Sequence, residues 1–178
     1  AEQIELRLDA NGAFTPDNAL ARLEQLALFG VFALEQPLKP GQPEALADVC
    51  RHSPIPIALD EELIGIGTLA EKERLLETVR PQHLVLKPSL IGGFSAAEEW
   101  IALADHFGIG WWVNSMLESN IGLSAICQWA SSLPGQFTHG LGTGQLFTNN
   151  ISGPLQLRGP ALWYNPNVAW DLSVASIG

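Results

Sequence analysis

The stretch IPIALDEEL, residues 55–63, carries the decision about the fold. Four of its first five residues are aliphatic, and three acids, Asp60, Glu61 and Glu62, follow at once. A short, unbroken apolar run between turn residues reads as a strand buried on both faces, the habit of parallel sheets. Runs of the same kind recur at 4–11, 31–37, 83–89, 111–116 and 137–144, giving six candidate strands with 56–62. Between them, apolar residues fall at helical spacing: Leu20, Leu23 and Ala27; Leu69, Leu76 and Val79; Ala97, Trp100, Ile101, Ala104 and Phe107; Leu123, Ile126, Cys127 and Ala130. Strand alternating with helix predicts an α/β fold in which helices cover a parallel sheet.

The polar residues at the strand exits keep a rhythm. Asp9, Glu35, Asp60, Lys87, Asn114 and Gly140 stand 26, 25, 27, 27 and 26 residues apart, room each time for one strand, one helix and two loops. In a (β/α)8 barrel such equivalent positions form a ring at the C-terminal mouth, where the active sites of that fold sit. Singly, each residue has a plainer explanation: Asp60 as a helix cap, Glu35 as a loop residue before Pro37, Lys87 as a loop end before Pro88. Together they do not, because carboxylates drawn to about 4 Å repel by roughly 4 kcal/mol per pair at an effective dielectric of about 20. A cation is expected among them. Oxygen ligands without a His or Cys cluster suit magnesium better than zinc.

The 178-residue chain is 47% hydrophobic and 16% charged, enough to bury one core. Its formal net charge of -10 leaves no basic stripe, which argues against nucleic acid and anionic membrane surfaces as partners. The longest mostly apolar run, 26–34, is far shorter than the roughly 20 residues that cross a bilayer. Cys50 and Cys127 form no CxxC and no signal-peptide pattern is present, so reduced, core-filling thiols in a cytoplasmic protein are expected. HGLGTG at 139–144 matches neither GxGxxG nor a phosphate loop, and no nucleotide cofactor is expected.

The segments LRLDANGAF, LEQPL, IALDEEL, LVLKPSLIGG, NSMLESNIG and HGLGTG, in this order and spacing, resemble the catalytic barrel of the enolase superfamily. The subgroup is the muconate-lactonizing-enzyme-like one, and within it the resemblance is to the o-succinylbenzoate synthases. It covers about residues 4–154 and implies a partial (β/α)8 barrel, strands three to eight. It implies that Asp9, Glu35 and Asp60 bind Mg2+, and that Lys87 is the lysine of the sixth barrel strand. Asn114, Ser115 and Met116 would contact the distal succinyl part of a small anionic substrate. The implied activity is that of a magnesium-dependent lyase of menaquinone or phylloquinone biosynthesis. A proton is removed next to a carboxylate, and hydroxide leaves 2-succinyl-6-hydroxy-2,4-cyclohexadiene-1-carboxylate to give o-succinylbenzoate. A lysine base has to be pushed below its usual pKa of about 10.4 by desolvation and neighbouring cations. In these enzymes that base belongs to a Lys-x-Lys motif on the second strand, while the lysine matching Lys87 contributes positive charge from the opposite face. N-succinylamino acid racemase or muconate cycloisomerase chemistry uses the same scaffold, and a non-catalytic metal- or ligand-binding remnant is the alternative from another class. Dipeptide epimerases carry an Asp-x-Asp at the last strand that is missing here.

The first two barrel strands, their Lys-x-Lys and the N-terminal lid domain have no counterpart in these residues. The expectation is the C-terminal part of a longer polypeptide, a barrel portion over 1–154 and a tail over 155–178, with an open sheet edge beside Asp9 that the remainder covers. Within the tail, 155–170 reads as two short strands about a turn at Arg158-Gly159-Pro160, with exposed aromatics that dock on the lid. Asn11, in ANG, is either a turn residue or one that faces the site. Gly140 either lets backbone N–H groups approach a substrate carboxylate or simply turns the chain. Trp111 and Trp112 are adjacent, so one faces the barrel interior and the other the helices. His52, His83, His106 and His139 share no ligand spacing and are expected in core or surface roles.

Overall fold

A computed structural model describes residues 4–134, 137–142 and 146–174. In chain order come β1 (Arg7–Asp9), α1 (Ala19–Ala27), β2 (Ala33–Glu35), α2 (Pro43–His52), β3 (Ile57–Leu59), α3 (Leu69–Val79), β4 (His83–Leu86), α4 (Gly93–Phe107), β5 (Gly110–Val113) and α5 (Asn120–Ser131). All five strands are parallel and lie side by side in sequence order. A tail hairpin, β6 (Leu155–Arg158) and β7 (Ala161–Tyr164), pairs antiparallel about Gly159, whose φ of 59° suits the tight turn. Among the described residues no helix is long and apolar enough to cross a membrane.

Period-two alternation divides the sheet. Leu34, Ile57, Leu59, Leu84, Leu86, Trp111 and Val113 pack with helix residues such as Leu23, Leu46, Leu76, Trp100 and Leu123 in the main core. Ala33, Ala58, Val85 and Trp112 form a second cluster with Phe32 and Phe137 on the inner face. Trp111 and Trp112 thus divide between helices and interior as the alternation predicts. Two residues further along each strand, the same inner face receives Asp9, Glu35, Asp60, Lys87 and Asn114.

The ladders set their heights. Asp9 is level with Glu35, but Glu35 is level with Ala58, two residues short of Asp60. Leu59 is level with Leu84, which leaves Lys87 two residues beyond the level of Asp60. Such stagger tilts the strands, as barrels require. It also explains why the paired strands are shorter than the apolar runs: only overlapping segments form ladders.

The helices begin where their chemistry allows. Thr68 and Glu71 form a reciprocal capping box at α3, Pro43 occupies the first turn of α2, and the Ser119 hydroxyl accepts the Gly122 N–H at α5. Lys72, fully buried between α3 and α4, has its Nζ 2.7 Å from Glu99 and 3.1 Å from Ala96 O. Cys50 and Cys127 are free thiols, which burial pushes up to about 12 and about 11.

The sixth candidate strand, 137–144, is corrected. Residues 143–144 lie outside those described, and the described part forms no strand, only an isolated parallel bridge between Asn114 and Gly140. Gly140 N donates to Val113 O at 2.9 Å, while the Val113 N–H goes to the imidazole Nδ1 of His139 at 3.1 Å. A side chain therefore takes a position that a backbone carbonyl fills in a continuous ladder. Glycines at 140 and 142 favour an irregular path. Arg7 secures this segment from the opposite edge: its guanidinium lies 4.1 Å from the Trp112 ring centroid, and Nη1 donates to Thr138 O at 2.8 Å.

His83 sits against Phe32, Trp112 and Phe137 on the inner face. Burial first, then the Arg7 charge, lowers its pKa, against an opposing contribution from Glu5. The unfolded chain therefore binds this proton more readily than the folded one. The stabilisation is complete above the ordinary imidazole value of about 6.5 and is lost as pH falls below it. Urea midpoints measured from pH 7.5 to 5 are expected to fall more steeply for the parent than for His83→Phe; parallel curves would contradict this.

Candidate active site

At the exit of β3 the chain turns with Asp60 at φ −127°, ψ −82°, and the side chain goes inward, only 2% exposed. A carboxylate this buried requires a partner. It finds Lys87, whose ammonium donates to Asp60 Oδ2 from the exit of β4. The same Nζ lies 3.6 Å from Glu35 Oε1 at the exit of β2. Three adjacent strand exits thus bring one ammonium and two carboxylates together. Burial is the main reason that the Glu35 carboxyl is pushed up to about 8; its hydrogen bond with Asp60 and the charges of Asp9 and Asp60 add to this, and Lys87 opposes it. Glu61, next in the chain, has its carboxyl raised chiefly by burial, with Asp60 and Asp9 contributing.

Asp9 stands apart. It ends the edge strand and is exposed, and its Oδ1 accepts the Asn11 N–H at 2.8 Å. Asn11, at φ 44°, is thus a turn residue bonded through its backbone to Asp9. Among the described residues no group of three His, Cys, Asp or Glu side chains closes into a cation cage. The donors suit a hard cation in kind, being carboxylate oxygens that share one acidic region. In position, Glu35 and Asp60 meet, whereas Asp9 acts on Glu35 through its charge.

Lys87 has two opposing influences. Burial disfavours its ammonium form, but the hydrogen bond to Asp60 and the charges of Asp60, Glu35 and Glu61 outweigh it and hold the amine above the usual lysine range. The downward push expected of a lysine base is not what these neighbours do: Lys87 is held as a cation.

Beside this group lies a cleft of about 580 Å³, whose lining includes Arg7, Glu35, Trp112, Asn114, His139 and Gly140. Its size suits a small molecule. At Gly140 a Cβ would fall 2.2 Å from Asn114 Oδ1, so the glycine lets the Asn114 amide lie against the backbone. Ser115 is buried, with its N–H donating to Gly140 O at 3.3 Å, while Met116 is 37% exposed. Ser89, in the loop after Lys87, donates to Glu118 at 2.7 Å and ties two mouth loops together.

Sequence reasoning missed Gln36. It is fully buried at φ 38°, and its side-chain amide accepts the backbone N–H groups of Asp60 (3.1 Å) and Glu62 (3.2 Å). The available signal was an uncharged amide set between a strand-end acid and Pro37.

The profile of the family described as Enolase C-terminal domain-like matches residues 1–161. The chain is 49% identical over 161 residues to o-succinylbenzoate synthase of Desulfotalea psychrophila, covering 90% of this chain and 44% of that protein. The crystal structure of MenC from the same organism has a TM-score of 0.87 over 91% of this chain and 45% of that one. N-succinylamino acid racemase of an Amycolatopsis species is 29% identical over 164 residues, covering 89% of this chain and 42% of that protein. The chain therefore spans less than half the length of these relatives. With five parallel strands alternating with helices and a family profile over nearly its whole length, the chain belongs to the enolase superfamily as its C-terminal, barrel-forming domain.

Proposed function

We propose that this domain carries the metal-binding acids and the electrostatic lysine of a magnesium-dependent o-succinylbenzoate synthase, a carbon–oxygen lyase. The observation that carries the reading is the contact of Lys87 with Asp60 and Glu35 across three adjacent strand exits. The 49% identity to an o-succinylbenzoate synthase supports this reaction over others of the superfamily. Asp9, Glu35 and Asp60 would hold the divalent cation. When bound, Mg2+ supplies positive charge opposite the negative charge that develops on a substrate carboxylate as the neighbouring proton leaves. Lys87, kept as an ammonium, adds fixed positive charge in a partly water-excluded place, where such charge is most effective. Arg7 gives the adjoining cleft a cation, local attraction for an anionic substrate in a protein of net charge -10. Asn114, Ser115, Met116 and Gly140 would orient the succinyl arm, and Asn11 would steady Asp9 from the outside.

Because Lys87 is held charged, the proton-abstracting amine would come from elsewhere in the polypeptide, in keeping with a chain that spans less than half of its relatives. The tail, 155–178, would dock on that remainder: Leu157, Trp163 and Tyr164 of the hairpin are 42%, 55% and 52% exposed. Residues 175–178 lie outside those described. The free thiols fit a cytoplasmic setting. A second reading, N-succinylamino acid racemase on the same residues, is favoured by the similarity to the Amycolatopsis enzyme over 89% of this chain.

The test is an assay of the full polypeptide with the cyclohexadiene carboxylate beside an N-succinylamino acid. Conversion to o-succinylbenzoate, lost on chelation and restored by Mg2+, is expected; turnover of the N-succinylamino acid alone, or turnover indifferent to chelator, would overturn the proposal. In the same assay Lys87→Met is expected to lower kcat by about 10²- to 10³-fold. A kcat equal to the parent's would remove Lys87 from the chemistry.

A further inference from the structure

We infer that Gln36 is the positioning residue of this site, the one that sets where Asp60 points and ties the first three strand exits to one another. Resting on the proposed function for its metal-binding part, the inference starts from an amide with every hydrogen-bonding position in use. Oε1 accepts from Asp60 N at 3.1 Å and Glu62 N at 3.2 Å, while Nε2 donates to Leu38 O at 2.9 Å and Glu62 Oε2 at 3.3 Å. Two N–H donors on one side and two oxygens on the other fix the amide in one orientation.

The backbone of Gln36 extends the same hub. Its N–H donates to Ala58 O at 2.9 Å, continuing the β2–β3 ladder, and its carbonyl accepts the Gly12 N–H at 2.7 Å from the loop after β1. One residue thus touches the exits that carry Asp9, Glu35 and Asp60. Its backbone lies at φ 38°, a region that non-glycine side chains seldom adopt, and Asp60 also departs from the regular basins. Conformations of this kind persist where their surroundings over-determine them, and the four hydrogen bonds of the Gln36 side chain do so here. The buried carboxylate of Glu62 completes the arrangement: it accepts from Gln36 and from Gly41 N at 3.1 Å, so the β2 loop is pinned from both ends.

Gln36→Met keeps the length of the side chain and removes all four bonds. The control is Leu76→Ala, which opens a cavity in helix packing away from the site and lowers stability without touching these residues. Two measurements are made on each protein: Mn2+ affinity by calorimetric titration, and the position of the Asp60 carboxylate in a crystal structure. Mn2+ binding to Gln36→Met is expected to weaken by about tenfold or more, with Leu76→Ala within about twofold of the parent. The Asp60 carboxylate of Gln36→Met is expected to move from Lys87 by more than about 1 Å. An unmoved Asp60, or a displaced one with parental Mn2+ affinity, overturns the inference. If the parent itself binds no Mn2+, the proposed function fails, and the position of Asp60 alone then decides the role of Gln36. Should Gln36→Met not fold, Gln36→Glu takes its place with the same outcomes, since it sets an oxygen against Leu38 O and Glu62 Oε2.

Discussion

The ion pair between Asp60 and Lys87 is the constraint on which the site depends. A carboxylate that is 2% exposed needs polar partners in place of water, and Lys87 provides one. For the two side chains to meet, the exits of β3 and β4 must be staggered by the amount that the ladders impose. Beneath them the inner face is packed by Ala33, Ala58, Val85 and Trp112. Glu35 then enters the same contact from β2, and burial first, with the neighbouring acids adding to it, raises its pKa. The outer face of each strand builds the helix-packed core, and the inner face brings charge together at one end.

This division was legible in the residues because both of its periods are short. Two-residue alternation distinguishes Trp111 from Trp112, and a repeat of 25 to 27 residues marks the strand exits. The tail hairpin was legible for a local reason, a Gly-Pro pair between apolar runs, and the structure turns there. The candidate cluster was legible in part: Glu35, Asp60 and Lys87 meet, while Asp9 stays on the edge strand and acts on Glu35 through its charge.

What escaped the sequence depends on contacts between distant segments. Gln36 acts through bonds to residues 24 and 26 positions away, and nothing in a single amide discloses those partners. The run 137–144 was read as a strand from its place in the repeat, but strand formation also needs a ladder. Here His139 takes one of the ladder's amides and Gly140 supplies a lone bridge. The resemblance implied positive charge at Lys87 without the balance behind it: burial disfavours the ammonium, and the surrounding carboxylates hold it, a balance set by their number and distance.

The central claim is that Asp9, Glu35 and Asp60 share one hard cation beside the Lys87 ammonium. Anomalous diffraction from crystals of the full polypeptide grown with Mn2+ tests it most directly. The account predicts a single strong peak enclosed by those three carboxylates. A peak elsewhere, or none at a Mn2+ concentration that supports turnover, would contradict it.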